Sequence, residues 1–174
     1  DITLLGEPKL FWGISAGVVD SMVANYTALK KRRRSDDNTP GGLNNRRPDR
    51  ASIVYANLIR RYFKNTVPIV LGGIEASLRR LTHYDYWSDK IRGSILLDAK
   101  ANYLCYGMAE KTIIELASAF RDRQDPHLIR GLSYRSGDVP KDYIVLPNLE
   151  EVISDKEKFI DFFHTFYENT DPLT

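Results

Sequence analysis

The stretch VPIVLGGIEASLRR, residues 67–80, constrains the fold more than any other. Val67, Ile69, Val70 and Leu71 form a short apolar run rich in β-branched residues. Such a run suits a strand covered on both faces, as in a parallel sheet. Gly72 and Gly73 follow, and glycine lets the backbone turn sharply and approach a neighbour closely. A helical pattern then begins, with Ala76, Leu78 and Leu81 on one side. Glu75 falls in its first turn, where a negative charge suits the helix dipole. Strand, Gly-Gly and helix make a unit that can place a ligand at the carboxyl end of a parallel sheet. A tight turn with no ligand explains the same residues equally simply.

Two more stretches read as the same unit. Residues 10–16 (LFWGISA) form a strand pattern closed by Gly17. Val19, Met22, Val23, Tyr26 and Leu29 then recur at helical spacing from Val18 to about Lys30. Residues 102–107 (NYLCYG) give the third strand, and Met108, Ala109 and Glu110 open a helix with Ile113, Ile114, Leu116, Ala117 and Phe120 on its apolar face. An amphipathic helix over Ala51 to Phe63 leads into the strand at Val67. Three such units predict an α/β fold, a doubly wound parallel sheet with right-handed crossovers.

The rest changes character. Gly131 to Ser136 and Tyr143 to Leu146 read as two short strands around the turn-rich RSGDVPKD, a hairpin that extends or covers the sheet. One long helix is expected from Asn148 to about Asn169, with Val152, Ile153, Phe159, Ile160, Phe162, Phe163, Phe166 and Tyr167 apolar. Residues 1–147 thus read as the α/β domain and 148–174 as a terminal helix. Ile91 to Asp98 fits a short helix with Ile91, Ile95 and Leu96 inward.

Composition bounds the function. The 174 residues are 43% hydrophobic and 28% charged, as in ordinary globular chains. A net charge of +2 confines any polyanion binding to a local patch. The single cysteine, Cys105, excludes an intrachain disulfide and a cysteine-cluster site in this chain, and points to the cytoplasm. No apolar run approaches a membrane span. The chain begins at Asp1, which reads as a fragment or a processed product.

Three stretches carry candidate chemistry. Gly13-Ile14-Ser15-Ala16-Gly17 is a literal G-x-S-x-G, the nucleophile-elbow pattern of serine hydrolases, with only His83, His127 and His164 to complete a triad. Residues 30–50, KKRRRSDDNTPGGLNNRRPDR, must be a surface loop. Arg32, Arg33, Arg34, Arg46 and Arg47 are its candidate anion or nucleic-acid ligands, against a solvated, partly mobile loop. His83, Tyr84, Asp85, Tyr86, Trp87, Ser88, Asp89 and Lys90 combine aromatic surface with polar groups, as a binding loop does. A structural loop with aromatic anchors is the simpler reading. Asp125 to Gly131 superficially resembles the D-x-H-x-x-G motif of cobalamin-binding domains, but its spacing is one residue too long.

LFWGISAGVVDSMVANYTA, RRSDDNTPGG, RPDRASIVYANLIRRYF, VLGGIEASLRRLTHYDYWSDKIR and DAKANYLCYGMAEKTI resemble the amino-terminal region of the YgiQ-type radical SAM proteins. PNLEEVISDKEKFIDFFHTFYENTDP is similar to the segment leading towards their catalytic domain. The resemblance implies an incomplete, Rossmann-like domain akin to cobalamin-binding domains. It implies that the parent enzyme holds a four-iron, four-sulfur cluster and S-adenosylmethionine through a C-x-x-x-C-x-x-C motif, which this chain lacks. The radical SAM domain of the same parent chain is then the expected partner, and this region a cap or a surface for substrate or cofactor. Cobalamin has no lower-ligand histidine motif in the loop that would supply one. On position and resemblance together, the expected substrate or cofactor residues are Ser15, Gly17, Asp20, Gly72, Gly73, Glu75, His83, Tyr84, Asp85, Trp87 and Glu110.

Overall fold

A computed structural model describes residues 2–36 and 38–170; Asp37, expected in the basic loop, lies outside them. The chain packs as two compact units. The first takes the described residues up to Leu81 together with Ser94–Arg135; the second takes Thr82–Gly93 and the described residues from Ser136 onward.

The first unit is a four-stranded sheet ordered β1-β2-β5-β6, comprising β1 (Trp12–Ser15), β2 (Ile69–Gly72), β5 (Tyr103–Cys105) and β6 (Leu132–Tyr134). The first three strands run parallel, and β6 lies antiparallel against β5. This is the mostly parallel, Rossmann-like α/β fold that the three units predict. Helices α1 (Ser21–Asn25), α2 (Ala51–Tyr62), α3 (Gly73–Leu78), α4 (Ile95–Asp98) and α5 (Glu110–Arg121) complete the unit.

Alternation along the strands feeds two cores. Ile14, Ile69, Leu71 and Leu104 point to one face, where Ala56 and Ile59 of α2, Ala76 of α3 and Ile95 and Leu96 of α4 cover them. Val70 and Cys105 point to the other, against Leu116 of α5 with Phe11, Ile113 and Phe120 packed around them. Ile69, Leu71, Leu104 and Leu116 are completely buried. Burying each such side chain contributes about 2 kcal/mol.

Helix α1 is shorter than its apolar spacing predicts, and the reason is tertiary. Arg33 donates its Nε to the carbonyls of Val23 and Tyr26, and its N–H to the carbonyl of Asn25. Asn44 also donates to Asn25 O. Loop donors thus satisfy the carbonyls that another helical turn would have used. Helix α2 starts after Arg50, which has a left-handed backbone and no side-chain cap bond. Its first N–H groups find partners elsewhere in the unit, as described below.

In the second unit the aromatic stretch forms a hairpin, β3 (His83–Asp85) antiparallel to β4 (Lys90–Arg92). The helix expected over Ile91 to Asp98 is therefore only α4, begun by the Ser94 hydroxyl accepting Leu96 N–H at 3.2 Å. No strand forms over Tyr143 to Leu146, so the expected terminal hairpin is absent. Tyr143, Ile144 and Val145 are exposed, leaving such a strand no face to bury. The single terminal helix is two, α6 (Leu149–Ser154) and α7 (Lys156–Glu168). Asp155 is extended between them and its carboxylate accepts Glu157 N–H at 2.8 Å. An N-cap aspartate thereby starts a new helix where periodicity alone continues the old one. Among the described residues, no helix is long and apolar enough to cross a membrane.

Candidate functional site

The carboxyl ends of β1, β2 and β5 converge on one cleft of about 420 Å³. Its floor is Gly13, Val70 and Cys105, its wall is Ile113, and Ser15, Gly72, Gly73, Gly107 and Glu110 rim it. The floor is shallow because β1 offers only a glycine and a serine on this face. Gly73 is held at φ +80°, and a Cβ there would lie 2.6 Å from Ser15 Oγ. Only glycine meets both conditions. Ser77 ties two of the three loops together, donating to Gly73 O at 2.9 Å and accepting Gly107 N–H at 3.1 Å. Gly17 N–H donates to Ser15 Oγ at 3.2 Å.

Of the residues expected from sequence, Ser15, Gly72, Gly73 and Glu110 line this cleft, and Gly17 adjoins it. Glu75 and Asp20 point elsewhere. Glu75 is buried, and its carboxylate accepts Ser21 N–H at 2.8 Å, the Ser21 hydroxyl, and Ser52 N–H at 2.9 Å. The Ser21 hydroxyl oxygen in turn accepts Ala51 N–H at 3.0 Å. The N-terminus of α2, which lacks its own cap, is thus capped from α3. Asp20 caps α1 through Met22 and Val23 N–H, and its other oxygen pairs with Arg79. Glu75 thus ties the start of α1 to the start of α2, and Arg79, one helical turn on, braces the same α1 cap through Asp20.

His83, Tyr84, Asp85 and Trp87 belong to the second unit's hairpin. Asp85 is buried and accepts the N–H and hydroxyl of Ser88, which builds the turn. Tyr84 is exposed and donates its hydroxyl to Asp89 at 2.5 Å, a bond that raises its pKa.

The basic loop is built by its own arginines. Arg32 donates to Tyr26 Oη and Asn44 O and covers the Tyr26 ring. Arg33 is spent on α1 carbonyls, and Arg47 pairs with buried Asp36 at 3.0 Å. Arg34 and Arg46 are exposed.

Ser15 does not sit in a nucleophile elbow. It ends β1, and the positive φ in this turn belongs to Gly17. The first unit's histidine, His127, lies against Tyr103 and Tyr134 and not in the cleft. Cys105, legible in sequence only as a core thiol, floors the cleft, and its burial pushes the thiol up to about 11. Ser77 had no signal of its own, while Gly107 was legible as a strand-closing glycine and Ile113 as an apolar helix position.

Among the described residues, no group of three or more histidine, cysteine, aspartate or glutamate side chains could hold a metal ion. A family model described as Radical SAM N-terminal matches residues 1–174. The chain belongs to that family. It is 58% identical over 175 residues to a UPF0313 protein of Fusobacterium nucleatum, covering 100% of this chain and 31% of that protein. It is 51% identical over 177 residues to a UPF0313 protein of Thermotoga maritima, covering 99% and 31%. It is 49% identical over 174 residues to one of Methanocella arvoryzae, covering 97% and 29%. The chain therefore spans only 29–31% of the length of these relatives. No solved structure matches it.

Proposed function

We propose that this region serves a radical SAM enzyme by holding substrate or cofactor in the carboxyl-end cleft, as a cap for catalytic machinery supplied by the rest of the parent chain. The carrying observation is the convergence of three parallel strand ends on a cleft whose rim must be glycine at residue 73. Ligands in open α/β sheets bind outside the carboxyl ends of the strands. Membership of the Radical SAM N-terminal family supports that reaction class for the parent.

The chain's residues do not fit an iron–sulfur cluster, because it has one cysteine and that thiol is buried. A cluster and S-adenosylmethionine would belong to the parent's remaining sequence, where they would supply radical generation. No imidazole lines the cleft, so a corrinoid would find no lower ligand in its lining. What this chain offers is a largely apolar floor and small polar groups at Ser15 and Glu110.

The test uses the full parent protein, reconstituted anaerobically. On reduction it is expected to cleave S-adenosylmethionine to 5′-deoxyadenosine. Cell extract containing the substrate is expected to stimulate that cleavage. Gly13→Phe fills the cleft floor, and its Cβ would meet only Phe11, at 3.9 Å. This variant is expected to retain basal cleavage and lose the stimulation. A parent that never cleaves the cofactor overturns the radical reading; stimulation that survives Gly13→Phe overturns the cleft assignment.

The loop of residues 30–50 supports a second reading, anion or nucleic-acid binding through the exposed Arg34 and Arg46. Its affinity would fall steeply with salt.

A further inference from the structure

A second cavity, of about 370 Å³, lies at the opposite end of β5. Leu96, Leu97 and Ala101 give it an apolar side. Tyr103, His127 and Tyr134 give it a ring surface, with His127 stacked on Tyr134 at 4.1 Å between centroids and 22° between planes. Asp125 fixes that imidazole, its Oδ1 lying 3.0 Å from His127 Nδ1 and accepting His127 N–H at 3.0 Å. Two cations, Lys100 and Arg135, belong to the lining, against the single carboxylate of Asp125 that sits on the His127 imidazole. Asn102 spends its Oδ1 on Ile69 N–H at 2.9 Å, which leaves its amide hydrogens as donors.

Lys100 is placed by the end of α4: its N–H donates to Leu97 O and Ala101 N–H to Leu96 O, both at 3.0 Å, so its φ of +51° is that of a helix C-terminus. Cavities of this size hold small molecules, and flat rings with a few placed polar groups orient them. Two cations and an amide donor match a dianion, and arginine and lysine both serve phosphate. We infer that this cavity binds a phosphate ester of a planar aromatic or heteroaromatic group, the phosphate on Lys100 and Arg135 and the ring against His127 and Tyr134. The site lies on other residues than the cleft, and the inference stands without the radical SAM reading.

The test titrates the 174-residue chain with adenosine monophosphate, phenyl phosphate and inorganic phosphate, following side-chain resonances of His127 and Asn102 by NMR. The two esters are expected to bind saturably and at least tenfold tighter than inorganic phosphate. Lys100→Glu and Arg135→Glu are each expected to weaken the esters about tenfold or more, the worth of a charge-assisted hydrogen bond. His127→Ala is expected to remove the preference for esters and keep weak phosphate binding. Both cations are exposed, so unchanged backbone shifts at the core residues Leu71 and Leu104 would verify the fold. No saturable shift with either ester overturns the inference. So does equal ester affinity in the Lys100→Glu, Arg135→Glu double variant.

Discussion

Glu75 accepts the backbone N–H of Ser52 at 2.9 Å, across 23 residues of sequence, and so caps a helix that has no cap of its own. The same carboxylate takes the N–H and hydroxyl of Ser21. Removing it would leave buried donors at the starts of both α1 and α2 without acceptors. Each such donor costs about 1–3 kcal/mol. Glu75→Ala is therefore expected to lower the urea-unfolding free energy by about 3 kcal/mol or more. Glu75→Gln keeps one acceptor oxygen and turns an amide towards the remaining donors, so it is expected to fall between. A Glu75→Ala midpoint equal to that of the unmodified chain would refute the capping role.

Gly73 and Ser15 are expected to be coupled. Gly73→Ala must hold alanine at φ +80° and set its Cβ against Ser15 Oγ. The backbone conformation alone costs about 1–2 kcal/mol, and the overlap adds to it. Ser15→Ala removes the hydroxyl, leaving Ser15 Cβ at 3.5 Å and Gly17 O at 3.9 Å, both ordinary contacts. The double variant is therefore expected to be more stable than Gly73→Ala alone, which is a favourable interaction term in a double-mutant cycle. Simple additivity would show that no steric contact joins the two positions.

The three strand–turn–helix units were legible because their signals are local. Ile69 and Leu71 alternate with Val70 onto opposite cores, and a glycine ends each parallel strand or follows two residues after it. The length of α1 was not legible, because Arg33 and Asn44 end it from the far side of a loop. The break at Asp155 was written as an N-cap aspartate but masked by the run of phenylalanines around it. The cleft rim at Ser15, Gly72, Gly73 and Glu110 follows from strand ends, which sequence marks. The direction of Glu75 and Asp20 does not. A first-turn acid suits the helix dipole whether it faces a ligand or another helix, and only the packing of α1 and α2 against α3 decides.

Cys105 gives a measurement confined to the cleft. The thiol is buried, and burial pushes it from an ordinary 9.0 up to about 11. At pH 8 it is therefore overwhelmingly protonated, and the thiolate is the nucleophile. Alkylation by iodoacetamide is expected to be slow in the folded chain and rapid in urea. The linkage sign follows from the raised value. Unfolding releases a more acidic thiol, so this contribution to stability is complete below pH 9 and is lost as pH rises through about 11. Cys105→Ser should flatten that part of the stability profile. Folded-state labelling at the rate of a free thiol at pH 8 would contradict the burial.

Asp36 governs the order of the basic loop. Its carboxylate accepts the Thr39 hydroxyl and Asn38 N–H at 3.1 Å, and pairs with Arg47. The Thr39 bond chiefly, with Asn38 and Arg47, holds its pKa below the ordinary 3.8. Because the folded value is the lower one, its contribution is present above pH 3.8 and is lost as pH falls through the folded value. Loop amides, corrected for intrinsic exchange, are expected to be protected at pH 5 and to lose that protection in acid below 3.8. At neutral pH, Asp36→Asn weakens the same contacts without acid. It is expected to accelerate tryptic cleavage within the run from Lys30 to Arg34, where the unmodified loop holds Arg32 and Arg33 on carbonyls. Asp122→Asn is the control, since its Arg121 bond lies outside the loop and should leave cleavage there unchanged. Equal cleavage rates for Asp36→Asn and the unmodified chain would mean that the arginine–carbonyl bonds order the loop without Asp36.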